Sequence, residues 1–221
     1  MRGAPFRDRA AAGRFLAERL NRYAGRDDVI VLALPRGGVP VGYEVALALA
    51  APLDVLVVRK LGVPGREELA LGAIATGGLL TLDNRLVRAF GIGPAQLERI
   101  IRAGINELER REATYRDGRE APRLEAMTTV LVDDGLATGA TMRVAALAVR
   151  QAKPSRVVVA VPVGVRETCA ELRAVADEVV CGLTPRRFRA VSIWFDDFSQ
   201  TSDAEVRDYL ARGGGQVAKA H

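Results

Sequence analysis

Two adjacent carboxylates, Asp133 and Asp134, close a short apolar run, and within nine residues they are followed by a glycine-bearing loop with the hydroxyls of Thr138 and Thr141, in the stretch VLVDDGLATGATM. Acids side by side repel each other and lose hydration when packed, so they demand hydroxyls, Mg2+ or cations. The loop behind them carries no Lys or Arg before Arg143. It can aim successive backbone N–H groups into a concavity, to which a helix starting near Gly139 adds its positive end. The acids suit a vicinal diol and Mg2+, whereas the amide nest and the two hydroxyls suit a phosphate. Ribose 5-phosphate presents both groups a few ångströms apart. A plainer reading stands beside this one, with Asp-Asp-Gly as a turn and Thr138 or Thr141 as a helix cap.

Two other segments carry chemistry of the same kind. In LPRGGVPVG (34–42), Gly37 and Gly38 permit backbone conformations that other residues resist, and Arg36 sets a cation beside the exposed amides. Lys60 ends the apolar run of VVRKLG and is one of only three lysines, with Lys153 and Lys219. An ordinary turn with a solvated Arg, and a lysine at a strand end, are the structural alternatives. Cys169 and Cys181 are the only cysteines and His221 the only histidine. Zinc centres and Cys/His or Ser/His catalysis therefore have almost nothing to be built from. The Gly-x-x-x-x-Gly-Lys-Ser/Thr phosphate loop does not occur.

The elements that must position these residues alternate. Phe15, Leu16, Leu20 and Tyr23 recur at helical spacing after Asp8, a candidate N-cap, and this helix should stop near Gly25. VIVLALP (29–35) and DVLVVRK (54–60) read as strands buried on both faces, with RGGVPVG as a loop and YEVALALAA as a helix between them. The alternation returns in TTVLVDD, a helix from about 139 to 151, RVVVAVP (156–162), a helix near 167–175 and DEVVC (177–181). Such a pattern predicts a doubly wound α/β fold with a mainly parallel sheet, whose carboxyl edge binds ligands. Arg36, Lys60 and the Asp pair should all meet there, each at the end of a parallel strand.

Residues 61–127 interrupt this pattern with a hairpin around Gly77 and Gly78 and a long amphipathic helix begun by Pro94. The chain is expected to be a single domain, 1–221, with 61–127 inserted and 184–200 as a small C-terminal hood. The hairpin near 67–82 is a candidate lid, and the tail ARGGGQVAKAH is expected to fray.

Composition fits a globular protein, with half of the residues hydrophobic and 27% charged. The net charge of +5 is spread along the chain without a run of like charges, so a small phosphorylated ligand fits as well as nucleic acid. No apolar stretch suggests a signal peptide or a membrane span, and a cytoplasmic protein is expected.

VLVDDGLATGATM closely resembles the signature of type I phosphoribosyltransferases, which bind 5-phosphoribosyl 1-pyrophosphate (PRPP). The resemblance implies that Asp133 and Asp134 hold the ribose hydroxyls and, through water and those hydroxyls, Mg2+. It assigns Ala137, Thr138, Gly139, Ala140 and Thr141 to the 5-phosphate. RGG matches the family loop that grips pyrophosphate, giving Arg36, Gly37 and Gly38 that role, and Lys60 corresponds to a cation ahead of the family's mobile loop. PRRF followed by an apolar run and Asp196 is similar to the hood of the purine enzymes, making Phe188, Trp194 and Asp196 candidates to bind the acceptor, with an aromatic stacked on it, and placing Asp196 or Asp197 near pyrophosphate or Mg2+. These residues together imply Mg-dependent transfer of the phosphoribosyl group to a nitrogen acceptor, a nucleobase or similar heterocycle, with Asp133, Asp134, Arg36 and Lys60 catalytic and a homodimer as a possible assembly. The sequence departs from purine enzymes where AVPVGVRE lacks their lysine, with only Arg166 nearby. A PRPP-sensing regulator or nucleic-acid-binding protein, or a PRPP-binding accessory protein without turnover, are the alternatives on the same fold.

Overall fold

The computed structural model describes residues 4–116 and 120–214. The chain runs α1 (Arg9–Arg19), β1 (Val29–Ala33), α2 (Gly38–Leu49), β2 (Leu53–Val55), β3 (Val58–Val63), β4 (Arg66–Ala75), β5 (Leu79–Leu82), α3 (Asn84–Ala89), α4 (Pro94–Arg116), β6 (Thr128–Val132), α5 (Ala140–Gln151), β7 (Arg156–Val163), α6 (Arg166–Leu172), β8 (Glu178–Leu183) and α7 (Asp203–Gly214).

Five strands form a parallel sheet in the order β2-β1-β6-β7-β8. Every residue of β1 and β6 is buried, β1 as an unbroken apolar run and β6 as a run that opens with Thr128 and Thr129, as expected where helices cover both faces. Alternate residues supply the two sides. Val29, Val31, Ala33, Val130 and Val132 pack against α1, α2, α7 and the end of α4, while Ile30, Leu32, Leu131, Val157 and Val159 pack against α5 and α6. Each such side chain contributes about 1.5–3 kcal/mol when fully buried, and this pins the register. In that register Ala33 lies opposite Val132, so β1 and β6 end level with each other. The chain leaves β1 toward β2 on one side and returns to β6 on the other. The neighbouring ends of β1 and β6 thus flank a switch point, the place where open α/β sheets form a crevice.

The second apolar run differs from its expected form. Only Leu53–Val55 joins the parallel sheet, and Val58–Val63 instead begins an antiparallel sheet of order β3-β4-β5. The physical reason lies downstream: β4 offers a ten-residue partner across the Pro64-Gly65 turn, where Gly65 takes φ +75°. An antiparallel hairpin closes through a turn of two residues, while a parallel partner needs a long crossover. The expected hairpin at Gly77 and Gly78 is present between β4 and β5, with both glycines at positive φ. It is tied to the segment between β2 and β3 and to α5, because Val57 and Thr76 exchange hydrogen bonds of 2.9 and 3.0 Å and Gln151 donates to the carbonyl of Leu80. The long helix begins at Pro94 as expected, and its anticipated last residues, 117 and 118, lie outside the described residues.

Helix α2 begins at Gly38, so five of the seven residues of the anticipated RGGVPVG loop are helical; Pro40 falls in the first turn, where its missing N–H costs no bond. Helix α7 was not anticipated, and it takes in Ala211–Gly214 of the tail expected to fray, while 215–221 lie outside the described residues. Val206 and Leu210, both fully buried, hold α7 against α2 and β2.

Candidate active site

Asp133 and Asp134 leave the sheet directly after β6, and both are half-buried. Asp133 Oδ1 accepts the N–H of Asp134 at 2.9 Å, and Asp134 Oδ2 accepts from Arg9 Nε at 2.8 Å. Their other oxygens, Asp133 Oδ2 and Asp134 Oδ1, have no partner among the described residues. Burial, and then the neighbouring charge of Asp134, hold Asp133 well above the usual carboxylate range. Burial also raises Asp134, and Arg9 partly offsets that rise.

The RGG loop closes directly on this pair. A Cβ on Gly37 would lie 2.1 Å from Asp134 Oδ2, and one on Gly38 would lie 2.7 Å from the carbonyl oxygen of Val132 and 3.0 Å from Asp133 Cα. No side chain fits at either position, which explains both glycines by close approach rather than by turn conformation. Between them and β1, the Pro35–Arg36 peptide is cis. Arg36 itself approaches another acid, with Nη1 4.0 Å from Asp203 Oδ1, an oxygen that also accepts from Tyr115 Oη at 2.9 Å.

On the far side of the acids, Gly139 takes φ +68° and leads into α5 without a side-chain cap, leaving the first amides of the helix to an outside acceptor. Ala137, Thr138 and Thr141 are exposed, and Ala140 is half-buried. The loop is held from behind: Thr168 Oγ1 donates to the carbonyl of Ala137 at 2.9 Å, and a Cβ on Gly139 would meet the Thr168 methyl at 2.4 Å. Leu136 bridges to Gly164 as in a parallel ladder. Thr168 escaped the sequence reading because it lies on a different helix and matches no local signal.

The hood packs against the same loop, since a Cβ on Gly135 would lie 2.4 Å from Val191 Cγ1. Phe188 and Trp194 face each other with centroids 6.4 Å apart and planes 21° from parallel. With Phe198 they pack on buried Phe195 and Phe6. Asp196 is engaged elsewhere: its Oδ1 accepts the N–H of Ala4 at 3.1 Å, tying the N-terminal segment to the hood, and Asp197 Oδ1 accepts from Ser199.

Lys60 departs from its expected place. It lies within β3 opposite Ala73 and lines a groove with Arg59, Arg111, Ile100 and Gly104, rather than ending a parallel strand beside the acids. The displacement follows from the early end of β2. Arg9 went unrecognised because nothing local distinguishes it from its neighbours Arg7 and Arg14. Only the cap geometry, Asp8 accepting from Ala11 at 2.7 Å, fixes it as the first residue of α1.

No three Asp, Glu, His or Cys residues cluster as a metal site among the described residues. The pair of open carboxylate oxygens suits Mg2+ in the form it prefers, with water and substrate oxygens completing its shell. No described helix is long and apolar enough to cross a membrane.

Comparison with known proteins bears on the fold and the family. Residues 6–186 match the model of the phosphoribosyl transferase domain family. The chain is 47% identical over 215 residues to the Mycobacterium tuberculosis protein named "Putative phosphoribosyl transferase Rv0571c" in strain H37Rv and to its counterpart MT0597 in strain CDC 1551, covering 97% of this chain and 48% of theirs. It thus spans about half the length of these relatives. The crystal structure of TT1426 from Thermus thermophilus superposes with a TM-score of 0.84 at 43% identity, over 95% of this chain and 99% of that one. The fold is shared with the Thermus thermophilus protein, and the chain belongs to the phosphoribosyl transferase domain family.

Proposed function

We propose that the protein transfers the 5-phosphoribosyl group of PRPP to a nitrogen heterocycle with release of pyrophosphate. The observation that carries this reading is the pair of open oxygens, Asp133 Oδ2 and Asp134 Oδ1, on two acids whose other oxygens face the glycine loop, followed by an uncapped helix start. Two neighbouring acceptors suit the two ribose hydroxyls, the amides from Ala137 to Thr141 suit the 5-phosphate, and the Arg36-Gly37-Gly38 loop suits pyrophosphate.

Departure of pyrophosphate leaves oxocarbenium character on the ribose, next to the Asp pair, and negative charge on the leaving group. Mg2+ bound through the Asp pair and the ribose hydroxyls would supply neutralising charge. Arg36 would turn from Asp203 to the pyrophosphate, a swing open to a side chain 38% exposed. Phe188 and Trp194 are the proposed acceptor face, with Asp196 bracing the hood rather than touching the acceptor. Lys60 stands outside the proposed catalytic set because of its place in β3.

The test is calorimetric titration of PRPP with Mg2+ into the wild type and into a folded variant carrying Asp133→Ala and Asp134→Ala. Binding to the first and none to the second is expected. A folded wild type that binds no PRPP would overturn the proposal.

One observation favours the regulatory alternative. Arg59, Arg110 and Arg111 gather around the single carboxylate of Glu107 near Lys60, and hydrogen bonds from Arg110 and Arg111 lower Glu107 to about 2. If this face holds a polyanion, DNA or RNA binding with steep salt dependence will accompany PRPP binding.

A further inference from the structure

Arg9 does more than neutralise a neighbour. Its Nε donates to Asp134 Oδ2 at 2.8 Å, its Nη1 donates to the carbonyl of Ser199 at 2.6 Å, and its guanidinium lies 3.9 Å over the ring of Phe198. The side chains of Arg9 and Asp134 are only 11% and 15% exposed, unlike an ordinary surface pair. It also stands at the seam of the RGG loop, 3.4 Å from where a Cβ on Gly37 would be. A planar fork with several donors can make such contacts together, whereas a flexible ammonium is a point charge.

The segment that carries Arg9 is itself laced to the hood. Phe6 donates to the carbonyl of Trp194 at 3.1 Å, Asp196 to that of Phe6 at 2.9 Å, and Asp197 to that of Arg7 at 2.8 Å. Phe6 packs on Phe15 and Phe195 within this seam. The N-terminal segment and the hood therefore both reach Asp134 through the Arg9 side chain.

We infer that Arg9 is a positioning residue for ribose recognition: it holds Asp134 Oδ2 from the docked hood, so that Asp134 Oδ1 is presented to the ribose. This rests on the PRPP reading above. It assigns to the N-terminal segment and hood a part in ribose binding that is separate from stacking on the acceptor. Pyrophosphate, which would lie on the RGG loop, does not depend on that orientation.

The experiment compares wild type, Arg9→Met and Arg9→Lys by calorimetry with two probes, PRPP with Mg2+ and inorganic pyrophosphate with Mg2+. Arg9→Met is expected to weaken PRPP by about tenfold or more, the size typical of removing a side chain that orients a liganding group, and to leave pyrophosphate within about twofold. Arg9→Lys, which keeps the charge and loses the fork, should recover part of the loss and weaken PRPP by only about threefold. Unchanged PRPP affinity in Arg9→Met, or equal loss of both probes, overturns the inference. Should Arg9→Met not fold, Arg9→Lys decides alone: a selective loss of PRPP supports the role and wild-type affinity refutes it. A wild type that binds pyrophosphate but no PRPP would instead sink the proposed function, so the two failures are told apart.

Discussion

The two ends of the parallel sheet treat their carboxylates in opposite ways. At the amino edge, Asp28 accepts from Arg26 and from Thr128 Oγ1, and Asp177 accepts from Arg150 at 2.7 Å and from the N–H of Val157 at 2.7 Å. Hydrogen bonds from these arginines lower both acids. At the carboxyl edge, burial raises both Asp133 and Asp134, the charge of Asp134 raises Asp133 further, and each keeps an oxygen that accepts from no other described residue. Paired acids at one edge hold strands and helices together. The open oxygens at the other are a cost that Arg9 offsets only in part and a ligand can complete, and this contrast marks the functional edge without reference to any motif.

The contrast can be broken first at the glycines. Gly37→Ala would force a methyl group into the Asp134 carboxylate, and PRPP affinity is expected to fall by about a hundredfold or more, as expected when a misplaced group displaces a reacting one. Calorimetry on the folded variant checks this, and binding within a few-fold of wild type would show that the loop yields.

At the amino edge the prediction concerns stability alone. Asp177→Ala leaves the buried N–H of Val157 without its partner and should destabilise the fold by about 1–3 kcal/mol, with PRPP affinity unchanged. Denaturant unfolding measures the first and calorimetry the second. Loss of PRPP binding here would refute the division between the edges.

Asp133→Asn is expected to do the reverse of Asp177→Ala. It removes the repulsion and keeps an oxygen for the N–H of Asp134, so the ligand-free Tm should rise by roughly 2–4 °C, about 1 kcal/mol for a domain of this size, while PRPP binding is lost. The sign follows from linkage. A carboxyl raised on folding binds protons more tightly in the native state, so its contribution is present below the unfolded value of about 3.9 and is lost as pH rises through the raised one. Asp28 and Asp177, both lowered, contribute above that unfolded value and lose their contribution as pH falls through their native ones. Unfolding of the metal-free protein across this range should therefore show acid loss in both wild type and Asp133→Asn. The decline toward neutral pH should be weaker in the variant.

The smallest effect is expected in the antiparallel appendage. Lys60→Ala should change PRPP affinity by less than about threefold, since an exposed cation at a distance acts through screened charge. A loss of tenfold or more would show that β3 brings Lys60 into the site when PRPP binds.

Much of this was legible in the residues. Runs rich in β-branched residues, such as VIVLA and TTVLV, dictate strands buried on both faces, and Asp-Asp-Gly after such a run dictates acids at a strand end. The fate of Lys60 was not legible, because VLVVRK reads as one strand until β4 competes for its second half. Pairing of that kind is decided by a partner elsewhere in the chain.

The sequence by itself determined which residues could bind a diol, a phosphate and a pyrophosphate, because residue type and short spacing fix local chemistry: acids, small loop residues and a helix start lie within nine positions of one another. Only the tertiary structure decided that Gly37 and Gly38 press against those acids, that Thr168 braces the loop from another helix, and that Arg9, 125 positions away in sequence, holds Asp134. The reason is that sheet order and register are set by burial summed over both faces of the sheet, a sum that no local segment contains.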